Sequence, residues 1–153
     1  MRTRPRVVTR QALGTLWILA VPVLALSSVL GTRRELATAS ADGIEVQVSY
    51  AGRIRYSQSH PLEVAVTNTS DRILDTITIA FDTAFVNRFS EIEFLPRSER
   101  PYEIRINAVG PGESRLVVAR LRGEKYGRHR GEITIHAGGR DSARVRIDTL
   151  VLP

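Results

Sequence analysis

"IEVQVSY", residues 44–50, alternates apolar and polar side chains without a break: Ile44, Val46, Val48 and Tyr50 fall on one parity, Glu45, Gln47 and Ser49 on the other. Successive side chains of a strand point to opposite faces, so this period of two reads as a half-buried β-strand. The period recurs down the chain. Leu62, Val64 and Val66 form one apolar face, Ile77, Ile79 and Phe81 the next, followed by Ile92 and Phe94, then Tyr102, Ile104 and Ile106. Leu116 and Val118 follow, then Ile133 and Ile135, and finally Ala143, Val145, Ile147 and Val151. Turn-forming residues separate the segments at Ala51-Gly52, Asn68 to Asp71, Gly110-Pro111-Gly112, Gly127 to Gly131 and Gly138-Gly139. About eight short alternating segments with turns between them predict an antiparallel sandwich over residues 43–153.

One segment departs from the period. "FDTAFVNRF" (81–89) spaces Phe81, Phe85 and Phe89 four apart, a helical repeat. A single helical turn plugging one end of the sandwich is the expectation; an aromatic groove for a ligand is the alternative. The chain has no cysteine, so the domain has no disulfide and is held by its core alone.

Three stretches carry a resemblance. "PLEVAVTNTSDRILDTITIAF" (61–81), "VGPGESRLVVARL" (109–121) and "YGRHRGEITIHAGG" (126–139) resemble the strand–turn–strand opening, the Pro-Gly-Glu turn and the closing hairpin of bacterial extracytoplasmic immunoglobulin-like modules of the CARDB and NEW3 type. The resemblance implies an all-β, immunoglobulin-like antiparallel β-sandwich of about 7–8 strands. It also implies a role as a spacer, adhesion or docking unit.

Upstream, residues 11–32 contain no charged side chain. A helix of that length rises about 30 Å, the thickness of a bilayer core. We expect one N-terminal transmembrane helix here, with Leu16, Trp17, Ile18, Leu19, Val21, Val23, Leu24 and Leu26 as the membrane anchor. A cleaved signal peptide is the rival, with small-residue sites at Ala37-Thr38-Ala39 and Ala39-Ser40-Ala41. The run is long for a signal, and Arg33-Arg34-Glu35 stands between it and either site. Arginines at 2, 4, 6 and 10 outnumber the pair at 33 and 34, which places the N-terminus in the cytoplasm and the C-terminal domain outside. The expected organisation is a basic cytoplasmic tail (1–10), the helix (11–32), a tether (33–42) and the sandwich (43–153). The expected location is the cell membrane, single-pass, with a periplasmic or other extracytoplasmic domain.

The net charge of +6 owes four units to the N-terminal tail, so a nucleic-acid footprint on the domain is not expected. His60, His129 and His136 show no metal-ligand spacing, and no nucleophile motif or phosphate loop appears. No enzyme activity, cofactor or metal is expected. Asn68-Thr69-Ser70 fits a glycosylation sequon but is read as a turn. "RLRGEKYGRHRG" (120–131) gathers Arg120, Arg122, Lys125, Tyr126, Arg128 and Arg130. It reads either as a solvated hairpin or as a docking loop for anionic headgroups or an acidic partner. "TLVLP" (149–153) carries Leu150 and Leu152 opposite Val151, and reads as a strand covered on both sides or as an exposed edge for a partner. The functional expectation is a non-enzymatic accessory subunit that docks on a larger membrane protein complex. The alternative is an anchored or secreted module that binds a cell-wall glycan or another extracytoplasmic ligand.

Overall fold

The computed structural model describes residues 33–153 apart from 42, 99, 139 and 140. The expected transmembrane residues 11–32 and the tail 1–10 lie outside the described residues. Among the described residues no helix is long and apolar enough to cross a membrane.

Ten strands are named in chain order: β1 (Arg34–Ala41), β2 (Ile44–Ala51), β3 (Arg53–Arg55), β4 (Ser59–Asn68), β5 (Leu74–Phe81), β6 (Phe89–Leu95), β7 (Glu103–Val109), β8 (Ser114–Gly123), β9 (Gly127–Ala137) and β10 (Asp141–Leu152). One helical turn, α1 (Thr83–Val86), lies between β5 and β6. The first sheet runs β1-β2-β4-β8-β6 and the second β3-β10-β9-β5-β7. All pairings are antiparallel except that of β3 with β10. The fold is all-β, a β-sandwich. Val46, Val48, Val64 and Val66 from the first sheet and Ile77, Ile79, Ile104, Ile133 and Ile135 from the second share one buried cluster.

The period of two chose the inward residues of β2, β4, β5, β9 and β10 as expected. Three readings need correction. Residues 33–42, expected as a tether, hold strand β1, paired to β2 from Arg34↔Ala51 to Ala41↔Ile44. Its small residues Ala37, Ala39 and Ala41 pack on the core, and Tyr50 Oη donates to Glu35 Oε2 at 3.1 Å. The composition of a flexible linker is here that of an edge strand lying flat on its neighbour. A fragment starting at residue 43 should therefore melt several degrees below one starting at 33 by circular dichroism, because β2 loses its partner strand. Equal midpoints would show β1 to be dispensable.

The second correction concerns register in β8. Val117, Ala119 and Leu121 face the core, while Leu116 is exposed and Val118 half-buried. Arg120 and Arg122 share the parity of Leu116 and Val118, so the expected register would have driven two guanidinium groups into the core. The third is the expected hairpin at 120–130. β8 pairs with β4 and β6, β9 with β10 and β5, so residues 124–126 cross from one sheet to the other. The terminal hairpin is β9–β10.

The phenylalanine segment forms the expected plug. Asp82 caps α1 by accepting from the Ala84 N–H at 2.9 Å, and Phe85 and Val86 are buried. Phe85 packs on Phe89 with ring centroids 4.9 Å apart. Gly131 lets α1 approach β9: a Cβ there would stand 2.5 Å from Phe85 Cβ. Gly131→Val should lower stability by about 2 kcal/mol in urea titration, since overpacking forces the plug outward. An unchanged midpoint would mean that α1 is free to shift.

Candidate functional site

The connections place one set of cations at one end of the sandwich. The C-termini of β2, β8 and β10 and the start of β4 and β9 meet there. From Ala51 the chain crosses at Gly52 into β3, which runs beside the last residues of β10: Leu150↔Arg53 and Leu152↔Arg55. The turn after β3 is clamped to both sheets. The Tyr56 N–H donates to the Leu152 carbonyl and the Ser57 N–H to the Gly123 carbonyl, each at 2.8 Å.

This clamp brings Tyr56 against Tyr126, which lies on the crossing between β8 and β9. The ring centroids are 4.9 Å apart, and the residues are 44% and 58% exposed. Tyr56 was not among the expected site residues, since nothing in "RIRYSQS" marks it as the neighbour of a residue so far along the chain. Arg53 and Arg55 precede Tyr56 along β3, Lys125 precedes Tyr126, and Arg88 precedes Phe89, which pairs with Gly123 at the end of β8. The Arg122 guanidinium donates to Ser57 Oγ at 2.7 Å. Glu124 is the carboxylate of the crossing.

The six candidates of 120–130 are thus spread out. Arg120 lies on the outer face of the first sheet, 3.4 Å from Glu93. Arg128 and Arg130 lie on the outer face of the second sheet and share Asp148, at 2.6 and 3.3 Å. The Arg128 hydrogen bonds hold the Asp148 carboxyl below its usual range, and Asp148 in turn raises the Arg128 pKa. Lys125 and Tyr126 remain at the exposed end. His129 is buried: its Nε2 lies 2.7 Å from the Lys125 carbonyl and its ring meets Phe89 edge-on at 5.8 Å. A hydrogen-bond partner inside the crossing makes that burial tolerable. His136 is exposed.

The C-terminal stretch is not a free edge. Leu150 and Leu152 are half-buried, and β3 covers β10 in the plane of the sheet. Thr149 is buried and donates to the Ala51 carbonyl at 3.1 Å. The exposed apolar strip lies elsewhere, on the outer face of the first sheet. There Leu95 stands opposite Val118, with Leu116 and Ala65 alongside; Leu95 and Leu116 are exposed.

His60 is half-buried, beside a cavity of about 20 Å³ lined by Tyr50, Leu62, Phe89, Leu121 and Thr149 among others. Burial pushes its pKa below the ordinary histidine value. The unfolded chain therefore takes up the proton more readily. His60 contributes stability that is complete above about pH 6.5 and is lost as pH falls through its lowered folded value. The melting midpoint should drop between pH 7.5 and pH 5, and His60→Gln should flatten that dependence. A slope unchanged by His60→Gln would assign it to another group.

No family model matches the chain, and no curated protein matches it. Solved structures do. A CARDB domain from Pyrococcus furiosus, solved in complex with di-metal ions, is 11% identical, with a TM-score of 0.50 over 74% of this chain and 94% of its own. The cupredoxin domain of amoB from Nitrosocaldus yellowstonii is 12% identical, with a TM-score of 0.41 over 62% of this chain and 56% of its own. Among the described residues no three histidine, aspartate or glutamate side chains gather as a metal set would. At 11% identity the likeness to the first of these speaks for architecture: residues 33–153 adopt a CARDB-like β fold.

Proposed function

We propose that the chain is a membrane-anchored, non-enzymatic accessory subunit whose extracytoplasmic, immunoglobulin-like sandwich docks on a larger membrane protein complex. In this reading residues 11–32 span the bilayer once, with the N-terminus in the cytoplasm. What supports the reading is the junction: Arg33 alone separates the uncharged run from β1, which in this reading starts the sandwich next to its anchor. A domain tied so closely to its anchor meets a neighbouring membrane protein at high effective concentration. The strip of Leu95, Val118, Leu116 and Ala65 offers that neighbour an apolar contact on the outer face of a rigid sheet.

Solubilisation in mild detergent followed by affinity purification of the full chain should bring down a membrane protein in fixed ratio. Leu116→Glu should leave the fold intact, because the side chain is exposed, and should weaken retention of that protein about tenfold, the scale of an interface anchor. Purification as a monomer from native membranes would overturn the reading.

A further inference from the structure

The proposed accessory role leaves the basic end of the sandwich without a task. We propose that this end, built around Tyr56 and Tyr126 with Arg55, Arg88 and Lys125, is a docking surface for the phosphate headgroups of anionic lipid. The proposal rests on the anchored reading for the nearness of a bilayer and deepens it by assigning the face turned to the lipid.

Four observations carry it. First, the chain enters the domain on this side: the Gly52 N–H donates to the Arg33 carbonyl at 2.8 Å, a few residues along the chain from Tyr56. Arg33, the first described residue, thus lies near the basic end and far from the turns at Asn68 and Gly110. Second, the cations are available. Among the described residues Arg55, Arg88 and Lys125 make no ion pair, while Glu124 lies in the crossing and Glu35 lies against Gly52. Guanidinium and ammonium groups near an anionic leaflet are drawn to its phosphates. Third, the tyrosine pair has the amphipathic character suited to the headgroup region, an apolar ring with a polar tip. The backbone clamp on β8 and β10 holds it in place before any ligand arrives. Fourth, the opposite end carries Glu45, Asp71, Asp75 and Glu113 against Arg72 and Arg115, the last paired with Glu113, so its described charges sum to an acidic excess where the basic end has a basic one.

Because the chain has no cysteine, a single engineered one is a unique labelling site. Gln58→Cys reports on the basic end and Pro111→Cys on the far turn; both positions are exposed. The full chain, fluorescently labelled at one or the other, is reconstituted into vesicles of phosphatidylcholine alone or with phosphatidylglycerol, both carrying a headgroup-linked quencher. In the anionic vesicles at low salt, Gln58 should be quenched strongly and Pro111 weakly. The difference should shrink in pure phosphatidylcholine and at high salt. Combined Arg55→Gln, Arg88→Gln and Lys125→Gln should lower the docked-to-free ratio by roughly a hundredfold, at about fivefold per cation. The corresponding change of the two arginines to lysine should preserve it, which separates charge from misfolding.

Equal quenching at the two positions, or quenching indifferent to lipid charge, overturns the proposal and leaves the basic end to an acidic protein surface. Alkaline extraction of the same vesicles tests the anchor separately. Release by alkali sinks the anchored reading, while charge-dependent quenching at Gln58 would still uphold the lipid surface.

Discussion

Ile79→Asp should abolish the fold. Ile79 is fully buried on β5, between Ile104 of β7 and Ile135 of β9, on an interior strand of the second sheet. A carboxylate there would face only the apolar side chains of its paired neighbours, and an unpaired buried charge costs several kcal/mol or forces the group to neutralise. A small domain holds about 5–15 kcal/mol in all, and no disulfide adds to it here. Far-ultraviolet circular dichroism of the variant should lose its β signal at 25 °C, whereas Ile79→Val should cost only about 1 kcal/mol. A folded Ile79→Asp protein with an unchanged urea midpoint would mean that residue 79 faces solvent.

Asn68→Ala should be the most damaging polar substitution. Asn68 is fully buried at the end of β4. Its amide nitrogen donates to the carbonyls of Arg72 and Val109, both at 2.8 Å, and its oxygen accepts from the Ser70 N–H at 2.9 Å and from Ser70 Oγ at 2.6 Å. Its own carbonyl accepts from the Gly112 N–H at 2.8 Å. One side chain thus fastens the β4–β5 turn to the end of β7, next to the turn before β8. Truncation strands the buried Val109 carbonyl and removes the acceptor of the turn, a loss of about 3 kcal/mol. For a domain of this size that lowers the melting midpoint on the order of 10 °C. Asn68→Asp keeps the acceptor but turns a buried carboxylate oxygen toward both carbonyls, so it should not rescue the loss. A shift below one degree for Asn68→Ala would show the turn to be self-sufficient. The same geometry settles the sequon: an amide nitrogen buried and doubly bonded is closed to glycosylation once the domain has folded.

How far these features were legible depends on local chemistry. β2, β4 and β5 could be read because each apolar residue alternates with a polar one, so a single parity can be buried. β8 could not be read from apolar residues alone, since Leu116, Val117 and Val118 fill both parities; the arginines at 120 and 122 decide it. β7 alternates through Ile104 and Ile106, then shifts by one at Ala108, whose φ of +52° breaks the pleat and turns Val109 inward. β1 was hidden by composition, because Ala, Thr and Ser serve a linker and a thin edge strand equally well. The basic character of one end was visible in 120–130, but its centre was not. Tyr56 reaches Tyr126 only through the crossing of β3 into the second sheet, and Arg120 and Arg130 turn away onto opposite faces. Such pairings are set by topology and leave no trace in any short window.

The strand that replaces the expected tether changes what proteolysis can do to this protein. A linker offers many equivalent cut points, and a protease trims it without harm to the domain beyond. Here the small-residue sites Ala37-Thr38-Ala39 and Ala39-Ser40-Ala41 lie inside β1, with their backbone engaged along β2. A cut at either site would strip away most of an edge strand, uncover the hydrogen-bonding edge of β2 and invite strand exchange with another chain. A cut that leaves the domain whole must fall before Arg34, and any truncated form lacking β1 would carry an aggregation-prone edge as the mark of where it was cut.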